Sequence, residues 1–157
     1  SLIGIAANFL KSEVEDGSLE MLLTSFKPIQ IILAKYLGLF ICGSIAFMLN
    51  IPISYLLFNI DVFQLNLVII TGLSLMATSC GVIILISSIQ CYFRSNTHLL
   101  STLLLPLIIP SIILSGIIIQ SENNSYSLFL IMTGVNCIII PISIYLSSYL
   151  IENIYNI

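Results

Sequence analysis

The chain has 157 residues, of which 59% are hydrophobic and 7% are charged, and its mean hydropathy is +1.17. A soluble domain carries about 25% charged residues, so the composition excludes an ordinary soluble enzyme and indicates an integral membrane protein. The net charge of −3 is spread over few ionisable groups, which argues against nucleic acid as a partner and against a protein that coats a lipid surface.

The first ten residues, SLIGIAANFL, are apolar but too short to cross a bilayer. We interpret residues 1–10 as the end of a span whose beginning is missing, so that the chain is a truncated or partial form. The pattern of a secretory signal, with a basic start and a small-residue cleavage site, is not visible in this stretch.

The next stretch, KSEVEDGSLEMLL, holds five of the eleven charged residues. Leu19, Leu22, Leu23 and Phe26 follow helical spacing and form one apolar stripe. Ser18 is expected to cap this helix, after a bend at Gly17. The spacing therefore predicts a short amphipathic helix within residues 11–27. It fits either an interfacial anchor or a coupling helix that contacts an ATPase, and geometry alone does not choose between them.

Four later stretches are long and apolar enough to span a membrane as helices. They cover residues 36–58, 65–93, 99–119 and 128–151. None shows the alternating pattern of a transmembrane β-strand. The predicted fold class is therefore all-α: a single polytopic transmembrane helix bundle over residues 1–157, with four complete spans and a cytoplasmic amphipathic helix.

The basic residues predict the orientation of these spans. Positively charged loops remain on the cytoplasmic side of a membrane. Lys11, Lys27 and Lys35 precede the first complete span, and Arg94 lies between the second and third. All four therefore fall on one side, to which the C-terminal tail also returns.

Two pairs of residues in the third complete span suggest a hinge or a substrate path. Pro106 and Pro110 are four residues apart, and each removes a backbone hydrogen bond. Ser111 and Ser115 repeat the same spacing. The alternative is a permanently kinked helix whose hydroxyls bond back to their own turn.

Other polar and sulfur-containing residues have simpler interpretations. Asn50 and Asn136 are expected to hydrogen-bond across to neighbouring helices, and the Ala77 to Gly81 spacing is expected to allow close helix contact. His98 is expected at a helix end or near lipid headgroups. The cysteines lack CxxC or Cys/His spacing, so we interpret them as packing residues and expect no catalytic residues, no metal site and no covalently attached haem. These cysteines are Cys42, Cys80, Cys91 and Cys137.

Three motifs occur in order along the chain: Asp16-Gly17-Ser18-Leu19-Glu20, Ala34-Lys35, and LPLIIP over residues 105–110. Together they resemble CcmB, the membrane permease family of the haem exporter in cytochrome c maturation. The resemblance covers essentially the whole chain, and it implies an ABC-2-like permease that normally has six spans. By this resemblance the first of these spans and most of the second are expected to be missing from the chain.

The resemblance also implies partners and a site. The partners are a CcmA-like ATPase and the CcmC, CcmD and CcmE-like haem-handling proteins, in a bacterial or mitochondrial inner membrane. Haem is the implied substrate, and no bound cofactor is expected. The ATPase contact is expected at Glu13, Asp16, Gly17, Leu19 and Glu20.

Two alternative functions stay open at this point. One is a non-transporting scaffold that holds haem-handling proteins together, which would still support cytochrome c maturation beside an ATPase that cannot hydrolyse ATP. The other is the permease of a related ABC-2 exporter for a lipid or a drug, against which a neighbouring gene for a haem chaperone would argue.

Overall fold

The structure is a computed structural model that describes residue 10 and residues 13–14, 16–58, 61–93, 97–120 and 125–155. Along these residues run five helices of eight residues or more. They are α1 (Ser18–Ser25), α2 (Pro28–Phe58), α3 (Val62–Phe93), α4 (Thr97–Gln120) and α5 (Ser125–Tyr155). The all-helical prediction is confirmed for this part of the chain.

The start of α2 shows how local sequence sets a helix boundary. Pro28 occupies the first helical position, where its missing N–H costs nothing. The side chain of Gln30 reaches back, and its Oε1 accepts a hydrogen bond from the Lys27 backbone N–H at 3.3 Å. The helix therefore begins eight residues before the predicted span at Tyr36. Its 31 residues measure about 46 Å at 1.5 Å per residue, longer than a hydrocarbon core of about 30 Å.

Three helices of the described residues are long and apolar enough to cross a membrane. The qualifying segments are Pro28–Leu57, Gln64–Tyr92 and Tyr126–Ile154. In α4 the corresponding apolar segment is the shorter Ile108–Gln120. The three long apolar helices agree with the predicted helical membrane bundle, whereas the fourth complete span, expected at residues 99–119, stays a prediction.

Helix α3 lies at the centre of the bundle. Half of its apolar segment is buried inside the protein, against 11% for α2 and 17% for α5. It packs most extensively on α5, then on α4 and α2. Glycines make two of these contacts close: a Cβ at Gly72 would overlap the Phe47 ring of α2, and one at Gly81 would lie 3.6 Å from Ser143 Cβ of α5. The close contact expected at Gly81 is therefore present.

One end of the bundle brings α1 together with three longer helices. A single buried cluster contains Leu10, Leu19, Ile32, Tyr36, Cys80, Ile84 and Ile151. Ile32 lies in the second turn of α2 and Ile151 in the last turns of α5. The start of the first long helix and the end of the last one therefore share an end of the bundle, as the predicted return of the C-terminus requires.

Some sequence predictions concern residues outside the described part of the chain. Residues 1–9, Lys11 and Arg94 belong to this group, and so does the side chain of His98, although His98 itself lies within α4. The N-terminal span and the role of His98 therefore stay predictions.

Candidate docking and coupling site

Helix α1 has one face on the bundle and one face turned outward. Leu19 is completely buried in the shared cluster, and Leu23 packs against the same cluster. Successive outward positions follow helical spacing, and all are exposed: Gly17, Glu20, Met21 and Thr24. The predicted amphipathic helix is therefore present at residues Ser18–Ser25, and it separates an apolar anchor from a polar surface.

The bend before α1 is made by the backbone of Gly17. Its φ is +71° and its ψ is 2°, which is the left-handed conformation. A Cβ there would meet no atom within 4 Å, so the backbone conformation and not crowding favours glycine. The predicted cap by Ser18 is wrong, because Ser18 is already helical. Its hydroxyl donates instead to the backbone oxygen of Glu13 at 3.3 Å.

The acidic residues of this region divide into two kinds. Asp16 and Glu20 are exposed. Glu13 forms an ion pair with Lys35 of α2, in which the lysine side chain is 12% exposed and the glutamate 35%. Of the five residues expected at the ATPase contact, the structure thus turns Asp16, Gly17 and Glu20 outward. It places Leu19 in the core, and it pairs Glu13 with Lys35 of α2.

Met21 is an outward residue that the sequence analysis missed. Its side chain is 79% exposed, between the exposed Glu20 and the exposed Leu22. A signal was present, because Met21 lies four residues after Gly17 and off the apolar stripe that starts at Leu19. An exposed apolar side chain on a polar surface is a frequent anchor in protein interfaces.

A groove of about 520 Å³ lies between α1 and α2. Leu22 and Phe26, which the sequence analysis assigned to the apolar stripe, form its wall on the α1 side, and both remain partly exposed. Residues from the first two turns of α2, including Gln30 and Lys35, complete the lining. The two halves of the predicted stripe therefore have different neighbours: the core for Leu19 and Leu23, and the groove for Leu22 and Phe26.

The residues expected to form a hinge or path in α4 do not share one face. Pro106 and Pro110 are exposed, whereas Ser111 is buried. The Ser115 hydroxyl donates to the backbone oxygen of Ile112 at 2.7 Å, which is a bond back to its own turn. The prolines therefore lie away from the bundle interior, and Ser111 faces it.

The two asparagines inside the long helices behave differently. The Asn136 amide donates to the Ser74 backbone oxygen at 3.1 Å and also to the Ser74 hydroxyl, so it links α5 to α3 as predicted. The Asn50 amide donates to Ala46 of its own helix at 2.8 Å. The cross-helix prediction is wrong for Asn50, because this residue is on the exposed face of α2.

The cysteines and acids do not come together as metal ligands among the described residues, where no group of three His, Cys, Asp or Glu side chains is arranged to hold an ion. Cys80 is buried in the shared cluster, where it acts as a small packing residue. Cys42 and Cys137 are free thiols on exposed positions.

Comparison with known proteins agrees with this architecture. The family model described as "CcmB protein" matches residues 1–151. The chain belongs to the CcmB family. Two relatives are each 41% identical to the chain over 157 residues, which is all of this chain and 72% of each relative. One is the uncharacterized protein RP268 of Rickettsia prowazekii strain Madrid E. The other is the uncharacterized protein RC0356 of Rickettsia conorii strain ATCC VR-613 / Malish 7. No solved structure matches the chain significantly.

Membership of the CcmB family defines the general role. The family is the permease component of the haem exporter that serves cytochrome c maturation, and it belongs to an ABC transporter system with an ATPase partner. Its members are transport subunits and not catalytic enzymes. The long apolar helices described above agree with a multi-pass membrane protein.

Proposed function

We propose that the chain is the transmembrane subunit of an ABC-type haem exporter and that the outward face of α1 is the surface on which its ATPase docks. The observation that carries this proposal is the division of α1 into two faces. Leu19 is fully buried in a cluster that reaches α2, α3 and α5, while Asp16, Glu20 and Met21 are exposed on the other side. A partner that moves this face acts on a helix anchored in the bundle.

The chemistry of the outward face supports a protein partner. Charges in the hydrocarbon centre cost about 2.5 to 3.5 kcal/mol each, so Asp16 and Glu20 belong in water or against another protein. Their carboxylates suit basic residues of a partner, and Met21, which follows Glu20, supplies an apolar anchor. Gly17 allows the backbone to turn sharply where this surface begins.

In this proposal the complex delivers haem to, or releases it from, a CcmE-like chaperone. The ATPase is CcmA-like, and CcmC-like and CcmD-like proteins complete the assembly in a bacterial or mitochondrial inner membrane. Haem is a substrate here and not a resident cofactor. Family membership supports this assignment.

The prolines of α4 are proposed to form a hinge beside the transport path. Each proline removes one backbone donor, so the helix bends more easily at Pro106 and Pro110. Ser111 is 2% exposed and faces the bundle, so bending at the prolines moves this hydroxyl relative to its neighbours. Ser115 follows one turn later and is already bonded within α4.

Charge reversal on the outward face tests the docking proposal. We expect Asp16→Lys and Glu20→Lys to lower co-purification of the ATPase to about a tenth or less, because like charges at an interface cost several kcal/mol. Glu152→Lys is the matched control, since Glu152 is an exposed acid at the same end of the bundle but on α5. Equal membrane levels of all variants exclude a folding defect. Unchanged co-purification of both α1 variants would refute docking at this face.

A further inference from the structure

The ion pair between Glu13 and Lys35 joins two parts of the chain that are 22 residues apart. Glu13 precedes the left-handed Gly17, and Lys35 lies two turns into α2. The lysine side chain is only 12% exposed. An ammonium group in such surroundings is costly without an acidic partner. The Glu13 carboxylate offsets this cost for Lys35.

From this geometry we infer that Glu13 is a positioning residue. Together with Lys35 it clamps the segment that leads into α1 to α2, so that movement of α1 is passed to the bundle. This inference rests on the proposed function, because it concerns how the docked helix acts on the membrane-spanning helices. It gives Glu13 a role different from that of Asp16 and Glu20, which remain available to a partner.

The clamp works beside an apolar anchor. Leu10 and Leu19 lie on either side of Glu13 in the sequence, and both are fully buried in the cluster that includes Ile32 of α2 and Ile151 of α5. The segment around Gly17 is therefore held at three places. Leu10 and Leu19 lie in the core, and the Glu13 carboxylate is paired with Lys35 of α2. Short-range bonds add to this, because the Val14 N–H donates to the Leu10 oxygen at 3.1 Å and the Ser18 hydroxyl to the Glu13 oxygen at 3.3 Å.

The need for a clamp follows from the shape of α1. Leu19 holds the eight-residue helix α1 to the core, and the left-handed Gly17 stands at its start. Glu13 precedes Gly17, so its pair with Lys35 holds the other side of this bend against α2. If that side were free, a bound ATPase would tilt α1 about Gly17 without moving α2. With Glu13 tied to Lys35, a displacement of the docking face carries the first turns of α2 with it. Binding of the ATPase and coupling to the bundle are thus separable properties, carried by different carboxylates.

Charge reversal and charge exchange test the clamp in the assembled complex with its ATPase and haem-handling partners. The variants are Glu13→Lys, Lys35→Glu, and the double exchange Glu13→Lys with Lys35→Glu. Two quantities are measured: the amount of ATPase that co-purifies, and the rate of cytochrome c maturation per unit of assembled complex. A merely structural role would change both together.

We expect each single variant to keep the co-purified ATPase near the wild-type amount but to lower the maturation rate about fivefold or more, which is the lower limit of usual coupling effects. The double exchange should restore the rate, because it restores an ion pair with its partners interchanged. Glu13→Asp, which keeps the charge, should retain more activity than Glu13→Gln.

Two results would overturn the inference. One is loss of ATPase co-purification in Glu13→Lys that the double exchange does not restore, because Glu13 would then be a docking residue like Asp16. The other is a wild-type maturation rate in both single variants. If a single variant fails to accumulate in the membrane, recovery of its level and activity by the double exchange supports the clamp, and absence of recovery refutes it. Failure of the docking proposal is seen separately, in unchanged co-purification of Asp16→Lys and Glu20→Lys.

Discussion

Asn50 and Asn136 show how much of a residue's role depends on the face it occupies. Both are amides inside long apolar helices, and both were predicted to bond across to another helix. Asn136 faces α3 and donates to Ser74, whereas Asn50 faces outward and donates to its own helix. Sequence spacing predicts that an amide in lipid needs a partner. It does not say which faces are covered, because α2 and α5 have similar composition but different neighbours.

The pair offers a matched test at the scale of single residues. We expect Asn136→Leu to lower the free energy of unfolding by about 0.6 to 1.7 kcal/mol, the range for hydrogen bonds between membrane helices. The lower end is favoured because the Asn136 Oδ1 is buried without a hydrogen-bond partner, so the substitution also removes an unpaired polar atom. Asn50→Leu serves as the control and should change the stability little. Reversible unfolding in mixed detergent micelles measures both, and equal losses would contradict the cross-helix role.

Among the site residues, exposure was easier to predict than pairing. The acidic stretch indicated that Asp16 and Glu20 lie in a polar environment, and the structure leaves both exposed. The pairing of Glu13 with Lys35 depends on how α1 folds back on α2. Neither local periodicity nor charge count contains that information, because the two residues come together only when the core around Leu19 forms.

At the scale of elements, α1 depends on the backbone conformation at Gly17. A residue with a Cβ in the left-handed region costs about 1 to 2 kcal/mol, so Gly17→Ala should destabilise the start of α1. We expect amide hydrogen exchange at Met21, whose N–H donates to the Gly17 oxygen at 3.4 Å, to become about 5 to 30 times faster.

Gly38→Ala is the control for this substitution. Gly38 lies within α2 and a Cβ there meets no atom within 4 Å, so alanine fits without strain. Exchange at Met21 should be the same as in the wild type in this variant. Equal exchange rates in Gly17→Ala and the wild type would show that the left-handed turn does not stabilise α1.

Helix boundaries differ from the sequence predictions for an identifiable reason. Hydropathy places the start of the first complete span at Tyr36, just after Lys35, but the hydrogen-bonded helix begins at Pro28. A helix does not end where the hydrocarbon ends, since its backbone bonds continue through the interface. The additional turns of α2 carry Gln30, which lines the groove beside α1, and Lys35, which pairs with Glu13. Pro28 and the Gln30 side chain explain locally why the helix begins there, whereas hydropathy marks only the part of it that is apolar enough to lie in the hydrocarbon.

At the scale of the whole molecule, the helix order fixes which termini share a side of the membrane. If α4 crosses the bilayer, α3 and α5 run in the same direction, and Asp61 and Tyr126 lie on the side opposite Glu20 and Glu152. The contact of Gly81 with Ser143, seven residues beyond the Ser74 to Asn136 bond in both helices, agrees with a parallel α3 and α5.

Labelling of introduced cysteines tests this arrangement, in a background where the four native cysteines are replaced. We expect a membrane-impermeant maleimide to label Glu20→Cys and Glu152→Cys from one side of sealed vesicles and Asp61→Cys and Tyr126→Cys from the other. Each of these residues is exposed. Labelling of Tyr126→Cys from the same side as Glu20→Cys would contradict a membrane-spanning α4.

The central position of α3 has a consequence for how the protein is assembled. Several of its buried hydroxyls bond within α3 itself, as Thr71 does to Leu67 at 2.7 Å and Ser79 does to Leu75 at 2.8 Å. The ribosome makes α3 well before α5, and Asn136 follows Ser74 by 62 residues. During that interval α3 is stable in lipid without α5, because these hydroxyls already have hydrogen-bond partners within α3. The helix that is most enclosed in the finished protein is thus also suited to be inserted early.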